Sequence, residues 1–222
     1  MTSMRGYWAA AYFEGDVRMS GRFLGAIAGR AVVAFALAGF LSASASALET
    51  PADEKTKLKA CEKQICSIIL KKKTSGGDLS CDIGRTWQKS KIVKGVKEKN
   101  ISWSFGDARC SVKVNMPRQG IIDALTKPAY DLQLAKHKIH CDVERTDTVS
   151  KIDLEMAPKM SFKDGKVTKA WLNVSNIEAP AIIKGALWTV ATLEENVGLF
   201  HGEMISEVNE FIHQKCAKRH GG

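Results

Sequence analysis

The sequence predicts an α+β fold in which an antiparallel sheet of five or six strands follows a helix and precedes a long helical segment. Three patterns indicate this fold. Apolar residues recur at spacings of three and four after Lys55, alternate with polar residues between positions 110 and 156, and return to a helical period after Pro180. Strands with one polar face favour an antiparallel sheet, and strands grouped between helices are typical of the α+β class.

The first 47 residues have the pattern of an export signal. Arg22 and Arg30 precede the uncharged stretch 31–41, which is followed by small residues up to Ala47. A helix that spans a bilayer needs about 20 residues, so a cleaved secretory signal is preferred over an anchor. We expect cleavage after Ala47, with cleavage two residues earlier as the alternative, and a true start codon at Met19. A bacterial product would then be periplasmic.

The predicted mature part, residues 48–222, is long enough to form one domain with its own core. Without the four arginines and two acids of the leader, the net charge of +9 becomes +7. Segment 55–99 holds 13 basic and four acidic residues, whereas segment 178–210 holds six acids and one lysine. The basic segment is interpreted either as a patch for anionic partners or as a surface that attracts the acidic segment within one fold.

The candidate patch consists of lysines on both sides of the segment 74–88. Its members are Lys71, Lys72, Lys73, Lys89, Lys91, Lys94, Lys97 and Lys99. An anionic envelope lipid or polysaccharide is the expected partner. Nucleic acid is not expected, because the protein is predicted to leave the cytoplasm and because lysine outnumbers arginine 24 to five after the leader.

The first helix is predicted from Lys55, since Leu58, Cys61 and Ile65 fall on one stripe. The lysine run at its carboxyl end complements the helix dipole. For the following segment, residues 79–100, a short helix is predicted.

Period-two alternation predicts strands over residues 110–116, 139–144 and 151–156. The segment 118–126 contains apolar residues at helical spacing, which predicts a short helix that connects two strands.

The Asp164-Gly165 pair predicts a tight hairpin between two further strands. After Pro180 the apolar positions keep a helical period up to Phe211. Two glycines interrupt the middle of this stretch, so we expect either one bent helix or two helices. Residues 183–193 are also rich in strand-forming types, which leaves a strand as the alternative there.

All six cysteines lie in the predicted mature part, and an even number in an exported chain indicates disulfides. Cys61 and Cys66 are about 140° apart around the first helix, so they should have different partners. The strand and helix patterns predict the pairs Cys110–Cys141, Cys61–Cys216 and Cys66–Cys81.

His137, His140 and Cys141 are zinc ligands by residue type. Residues three apart on a strand face opposite sides, however, so the two histidines are not expected to share a metal ion. The chain also has no nucleophile elbow, zinc-binding HExxH helix, phosphate-binding loop or CxxC pair. No metal or cofactor is therefore predicted, and the motifs do not identify a catalytic residue.

The most distinctive local run contains Trp103, Phe105 and Asp107, and a turn at Gly106 would place both rings on one side of a candidate cleft. We predict a non-catalytic binding or accessory protein, because export and a disulfide frame occur without a catalytic motif. The alternative is a hydrolase-like enzyme with a dispersed site.

That alternative site would include His137, His201 or Asp107, because these are residue types that transfer protons.

Overall fold

The computed structural model describes residues 48–97, 99, 101–198 and 200–221, so the predicted export signal lies outside the described residues. The helices are α1 (Glu54–Lys71), α2 (Lys89–Lys97), α3 (Arg118–Thr126), α4 (Ala181–Val197), α5 (His201–Glu210) and α6 (Cys216–His220), with a π-helical turn, Phe211–Lys215, between the last two. The strands are β1 (Leu79–Trp87), β2 (Ala108–Met116), β3 (Ala129–Gln133), β4 (His137–Glu144), β5 (Val149–Met156), β6 (Lys159–Lys163), β7 (Lys166–Trp171) and β8 (Val174–Glu178). The α+β prediction is confirmed.

The strands form two antiparallel sheets. Sheet A has the order β1-β2-β4-β5-β8, and the smaller sheet B has the order β3-β6-β7. The apolar face of sheet A carries, among others, Ala108, Cys141, Val143 and Ile152. The opposite, polar face carries Ser111, Lys113, His140 and Asp153, because neighbouring residues on a strand point to opposite sides.

Helices cover the apolar face of sheet A in two groups. Around Leu79 and Cys81, α1 and α3 pack together with the carboxyl-terminal helical segment, including Phe211. At the other end of the sheet, α2 contributes Ile92 and α4 contributes Ile183 to a second cluster. The apolar residues that the sequence placed on single stripes and faces thus form the core.

Sheet B forms its own small cluster with α3 and α5, and it includes Phe162 and Val167. The hairpin between β6 and β7 turns at Asp164 and Gly165, both with positive φ (50° and 74°). Such a pair of left-handed residues gives the tight turn predicted from the Asp-Gly sequence.

Helix α1 covers the outer edge of β1. The carboxylate of Glu54 accepts hydrogen bonds from the backbone N–H of Thr86 at 3.0 Å and from its hydroxyl at 2.7 Å. Unpaired donors on an edge strand invite association with other chains, so this buried carboxylate helps to protect the edge.

The prediction of one short helix over residues 79–100 is wrong for its first half, which is β1. The alternation there is short: Leu79 and Cys81 are buried between exposed neighbours, but Arg85 and Trp87 occupy the later inward positions. The second half is helical, as α2. The helical interpretation of 183–193 is confirmed, and Gly198 ends α4 with a left-handed conformation (φ 63°).

The predicted Cys110–Cys141 disulfide is confirmed, but the other two pairings are wrong. The structure joins Cys61 to Cys81 and Cys66 to Cys216. The reason is that α1 runs along β1, so Cys61 faces the strand, whereas Cys66 faces α6 on another side of the helix. The expectation that the two helix cysteines have different partners is confirmed.

Candidate functional site: a cationic groove on sheet A

An open groove of about 620 Å³ lies on the polar face of sheet A, beside the first turn of α1. The side chains that give it its chemistry belong to α1, β1, β2 and the start of β4. They are Asp53, Glu54, Lys57, Asp82, Arg109, Ser111, Lys113, Asn115, Lys136, His137, Lys138 and His140. Five of these are cationic and three are carboxylates, so the groove has an excess of positive charge.

Ion pairs neutralise part of this charge. Lys57 binds Asp53 at 2.7 Å, and this hydrogen bond lowers the pKa of the Asp53 carboxyl and raises the pKa of the Lys57 ammonium. Arg109 binds Asp142 at 2.7 Å. Lys136 lies 3.7 Å from a carboxylate oxygen of Glu155.

Lys113 and Lys138 remain as the unpaired cations of the groove within the described part of the chain. They are the chain neighbours of the last paired residues of β2 and β4, Val112 and Ile139, and so lie on the two sides of the point where the strands separate. The carboxylates in register with them are Asp82, the β1 partner of Lys113, and Glu155, the β5 partner of Lys138. Neither forms an ion pair with the lysine opposite it, and Glu155 instead lies near Lys136. Each of the two lysines thus lies opposite a carboxylate without forming an ion pair with it.

His137 lies in the gap between the separating strands. It is buried, and its Nε2 accepts a hydrogen bond from the backbone N–H of Asn115 at 3.1 Å. Because Nε2 accepts, the proton is on Nδ1, which donates to the carbonyl of Ala135 at 2.6 Å. The imidazole therefore takes the place of a strand partner for the backbone N–H of Asn115 beside the groove.

Three potentially reactive side chains form a row across the same face. Ser111, His140 and Asp153 are direct neighbours on β2, β4 and β5. Asp153 binds Nδ1 of His140, which leaves Nε2 directed away from the carboxylate. Ser111 forms no hydrogen bond with the ring within the described chain, and its neighbour on β1 is Gly84, which leaves open space beside it.

The three residues of the predicted cleft have structural contacts. Trp103 donates its indole N–H to the carbonyl of Gly106 at 2.9 Å and packs edge-on against Phe105, and both rings contact the core. Asp107 accepts from the backbone N–H of Lys89 at 2.8 Å and so caps α2. Asp107 also lines a shallow depression with Lys89, beside α2.

The predicted lysine patch is divided between two ends of the molecule. Lys71, Lys72 and Lys73 lie before β1, and Lys89, Lys91, Lys94 and Lys97 lie after it on α2; all are exposed. The nine residues of β1 separate these groups by about 26 Å. Lys99 instead binds Glu203, which joins the basic and acidic segments at that point.

The structure does not bring His137, His201 and Asp107 together. Asp107 precedes the start of β2, which pairs with Val143, six residues and about 20 Å along β4 from His137. His201 packs edge-on against Trp171 instead.

His201 has a second neighbour, the buried carboxylate of Glu194. The Nε2 and Oε1 atoms lie 3.4 Å apart, but their geometry is not that of a hydrogen bond, and neither atom has a hydrogen-bond partner among the described residues. Glu194 is held by the backbone N–H of Phe200 at 2.7 Å.

No group of three or more potential metal ligands occurs in the described ranges. None of the helices described is both long enough and apolar enough to cross a bilayer.

Comparison with protein-family models, curated proteins and solved structures finds no match for this chain.

The sequence analysis did not single out Lys113, Lys138, Ser111 or Asp153. The alternation of β2, β4 and β5 places these residues on polar faces, which is the one signal that could have suggested them. Their proximity depends on the register between strands, which the sequence pattern does not give.

Proposed function

We propose that this protein is an exported, non-catalytic binding protein that holds an anionic component of the cell envelope in the groove of sheet A. The observation that carries the proposal is the adjacent pair Lys113 and Lys138, which has no ion-pair partner in the described chain. Two ammonium groups held close together repel each other, and a bound phosphate or carboxylate group relieves that repulsion.

The shape and the neutral groups of the groove support the same ligand class. The groove is open along one side, which suits a headgroup or a chain of sugars that extends beyond the protein. Ser111 and Asn115 line the groove beside the lysines and provide hydrogen-bonding groups for a polar ligand. Asn115 accepts a hydrogen bond from Ser80 through Oδ1, so its amide N–H groups are available for donation.

The covalent frame supports export. The six cysteines form three disulfides, and no cysteine of the described ranges is left reduced. Disulfides persist in oxidising compartments such as the periplasm.

Calorimetric titration with tripolyphosphate tests the proposal. We expect saturable binding at one site at low salt. Lys113→Gln/Lys138→Gln should weaken this binding at least tenfold, and about 0.5 M salt should abolish it. Lys71→Gln/Lys72→Gln removes the same charge at the other end of β1 and should leave binding unchanged. Equal weakening by both double variants would show that net charge, rather than the groove, attracts the anion.

The row Ser111, His140 and Asp153 favours a second candidate function, hydrolysis of an ester or a related acyl bond. The bond between Asp153 and Nδ1 fixes a proton on that nitrogen, so Nε2 can act as a base. In the reaction, Nε2 accepts the hydroxyl proton of Ser111 as Oγ attacks the carbonyl carbon. The same proton then passes to the leaving oxygen, and water releases the acyl group from Ser111.

A fluorophosphonate probe tests this second function, because it labels serines that are activated by a neighbouring base. Hydrolysis predicts labelling of Ser111 that Ser111→Ala abolishes and His140→Gln strongly reduces. Absence of label on Ser111 under conditions in which a control serine esterase reacts fully would exclude it and leave the binding function as the sole candidate.

A further inference from the structure

A row of half-buried aliphatic residues, called the apolar strip below, crosses the apolar face of sheet A. The neighbouring strands β1, β2, β4 and β5 contribute to it, in order and in register, Ile83, Val112, Ile139 and Leu154. Strands β2 and β4 are paired on both sides, so helices that covered the whole face would bury their inward residues. The apolar strip is therefore a part of this face that the helices leave partly uncovered.

The apolar strip lies at the boundary between the two groups of helices on this face. Ile83 packs against the cluster that α1 and α3 form around Leu79. Ile139 and Leu154 pack against the cluster to which α2 and α4 contribute. Val112 belongs to neither of these two clusters of described residues. The strip is thus the row of sheet A at which the first cluster ends and the second begins.

Arg85 lies at one end of the apolar strip. It follows Ile83 on the inward side of β1, about 7 Å along the strand, and is half-buried opposite Cys110. Its Nε is buried without a hydrogen-bond partner, and no carboxylate of the described chain forms an ion pair with it. Withdrawing an unpaired charged group from water costs free energy, and a bound anion offsets that cost.

We propose that the apolar strip and Arg85 together bind an anionic amphiphile with a single alkyl chain. The chain lies across the strands from Ile83 to Leu154, and the guanidinium holds the terminal carboxylate or phosphate. Arginine suits either group, because its planar fork donates two parallel hydrogen bonds to two oxygens. The four strands span about 14 Å, a length comparable to that of an extended lauroyl chain. A mostly apolar surface with one polar anchor is typical of a small-molecule site.

The surroundings of the apolar strip favour such a ligand over a second copy of this chain. Helices pack on the sheet on both sides of the strip, and a helix with its side chains is about 10 Å thick. A folded surface cannot reach the sheet between them as easily as one alkyl chain can. The site does not rest on the anion groove, which lies on the opposite face of sheet A.

Calorimetric titration with laurate and with dodecyl phosphate, each below the concentration at which it forms micelles, tests the proposal. We expect saturable one-to-one binding of at least one of them, and a preference between the two identifies the anionic group that the site accepts. Acetate and inorganic phosphate lack the chain, and dodecanol lacks the charge. These three compounds should each bind at least tenfold more weakly.

Two pairs of matched variants locate the site. Arg85→Gln should weaken binding at least tenfold, whereas Arg145→Gln removes the same charge from the exposed turn between β4 and β5 and should leave binding unchanged. Val112→Thr keeps the shape of the side chain but adds a hydroxyl to the strip, so it should weaken binding at least threefold. Val149→Thr makes the same change at a position of β5 that is 48% exposed and should have no effect. Threonine is a good strand former, so both valine variants should fold.

Three results would overturn the proposal. The first is that neither amphiphile shows saturable binding, and the second is that Arg85→Gln and Arg145→Gln weaken binding equally. The third is that Lys113→Gln/Lys138→Gln abolishes binding that Arg85→Gln leaves intact, which would locate the amphiphile in the groove. Tripolyphosphate has no alkyl chain, so a negative titration with it would contradict the groove site and leave this test unaffected.

Discussion

Lys113 and Lys138 lie on the two sides of the point where the β2–β4 pairing ends, and neither forms an ion pair with another described residue. Like charges on neighbouring strands destabilise a sheet. The carboxylates opposite the two lysines, Asp82 and Glu155, also interact with Lys57 and Lys136. The lysine pair therefore costs stability in the unliganded protein, and that cost is offset when an anion binds between the two ammonium groups.

This cost predicts that removing one lysine stabilises the protein. Lys138→Gln should raise the free energy of unfolding by about 0.5 kcal/mol at low ionic strength, and this increase in stability should vanish at about 0.5 M salt. Urea denaturation measures both values. Lys169→Gln is a matched control, because Lys169 lies opposite Ser161 and its removal relieves no lysine repulsion. Destabilisation by Lys138→Gln at low salt would contradict the repulsion argument.

The two disulfides of α1 should contribute unequally to stability. Cys66–Cys216 connects residues 150 apart, and Cys61–Cys81 connects residues 20 apart. The longer loop loses more entropy in the unfolded chain, so replacing Cys66 and Cys216 with alanine should cost about 2 kcal/mol more than replacing the other pair. Urea denaturation of the two double variants compares them. Equal losses would mean that chain entropy does not govern these bonds.

The pairing of Glu203 with Lys99 should make stability depend on acid pH. Partial burial is the largest single effect and raises the pKa of Glu203, but the hydrogen bond and charge of Lys99 together with a backbone hydrogen bond outweigh it, so the pKa is lowered from its ordinary value of 4.5. A lowered pKa in the folded state gives stability that is present above about pH 4.5 and is lost as the pH falls through the folded-state pKa.

Glu203→Gln should therefore remove about 0.5 kcal/mol at neutral pH and flatten the fall in stability below pH 4.5. The figure is small because the Glu203 side chain is 37% exposed to solvent. Unfolding free energies measured between neutral pH and pH 3 test this, with Glu195→Gln as an exposed control. An identical pH profile for Glu203→Gln and the original protein would contradict the role of this pair.

The elements of the fold could be predicted from the sequence where a periodic pattern is long. Cys110 and Cys141 occupy inward positions of clearly alternating segments, and their disulfide follows from that placement. The strand β1 was missed because its alternation is short and because Arg85 and Trp87 occupy inward positions. The partner of Cys66 was missed because it depends on how α1 and α6 pack, which no local pattern determines.

The groove could not be predicted for a related reason. Each of its residues is visible in the sequence as a polar side chain on a strand, but the approach of Lys113 to Lys138 depends on the register between β2 and β4. The pairing of these strands ends where His137 enters the gap and accepts the hydrogen bond from Asn115. A side chain that replaces strand pairing leaves no periodic signal.

The most direct test of the binding function is an NMR titration of the ¹⁵N-labelled protein with tripolyphosphate. Binding in the groove predicts saturable shifts of the amide signals of Lys113, Asn115, Lys138 and His140, with little change at Lys71 to Lys73 or on α2. Shifts that are confined to α2 or Lys71 to Lys73, or that never saturate, would contradict an anion site between β2 and β4.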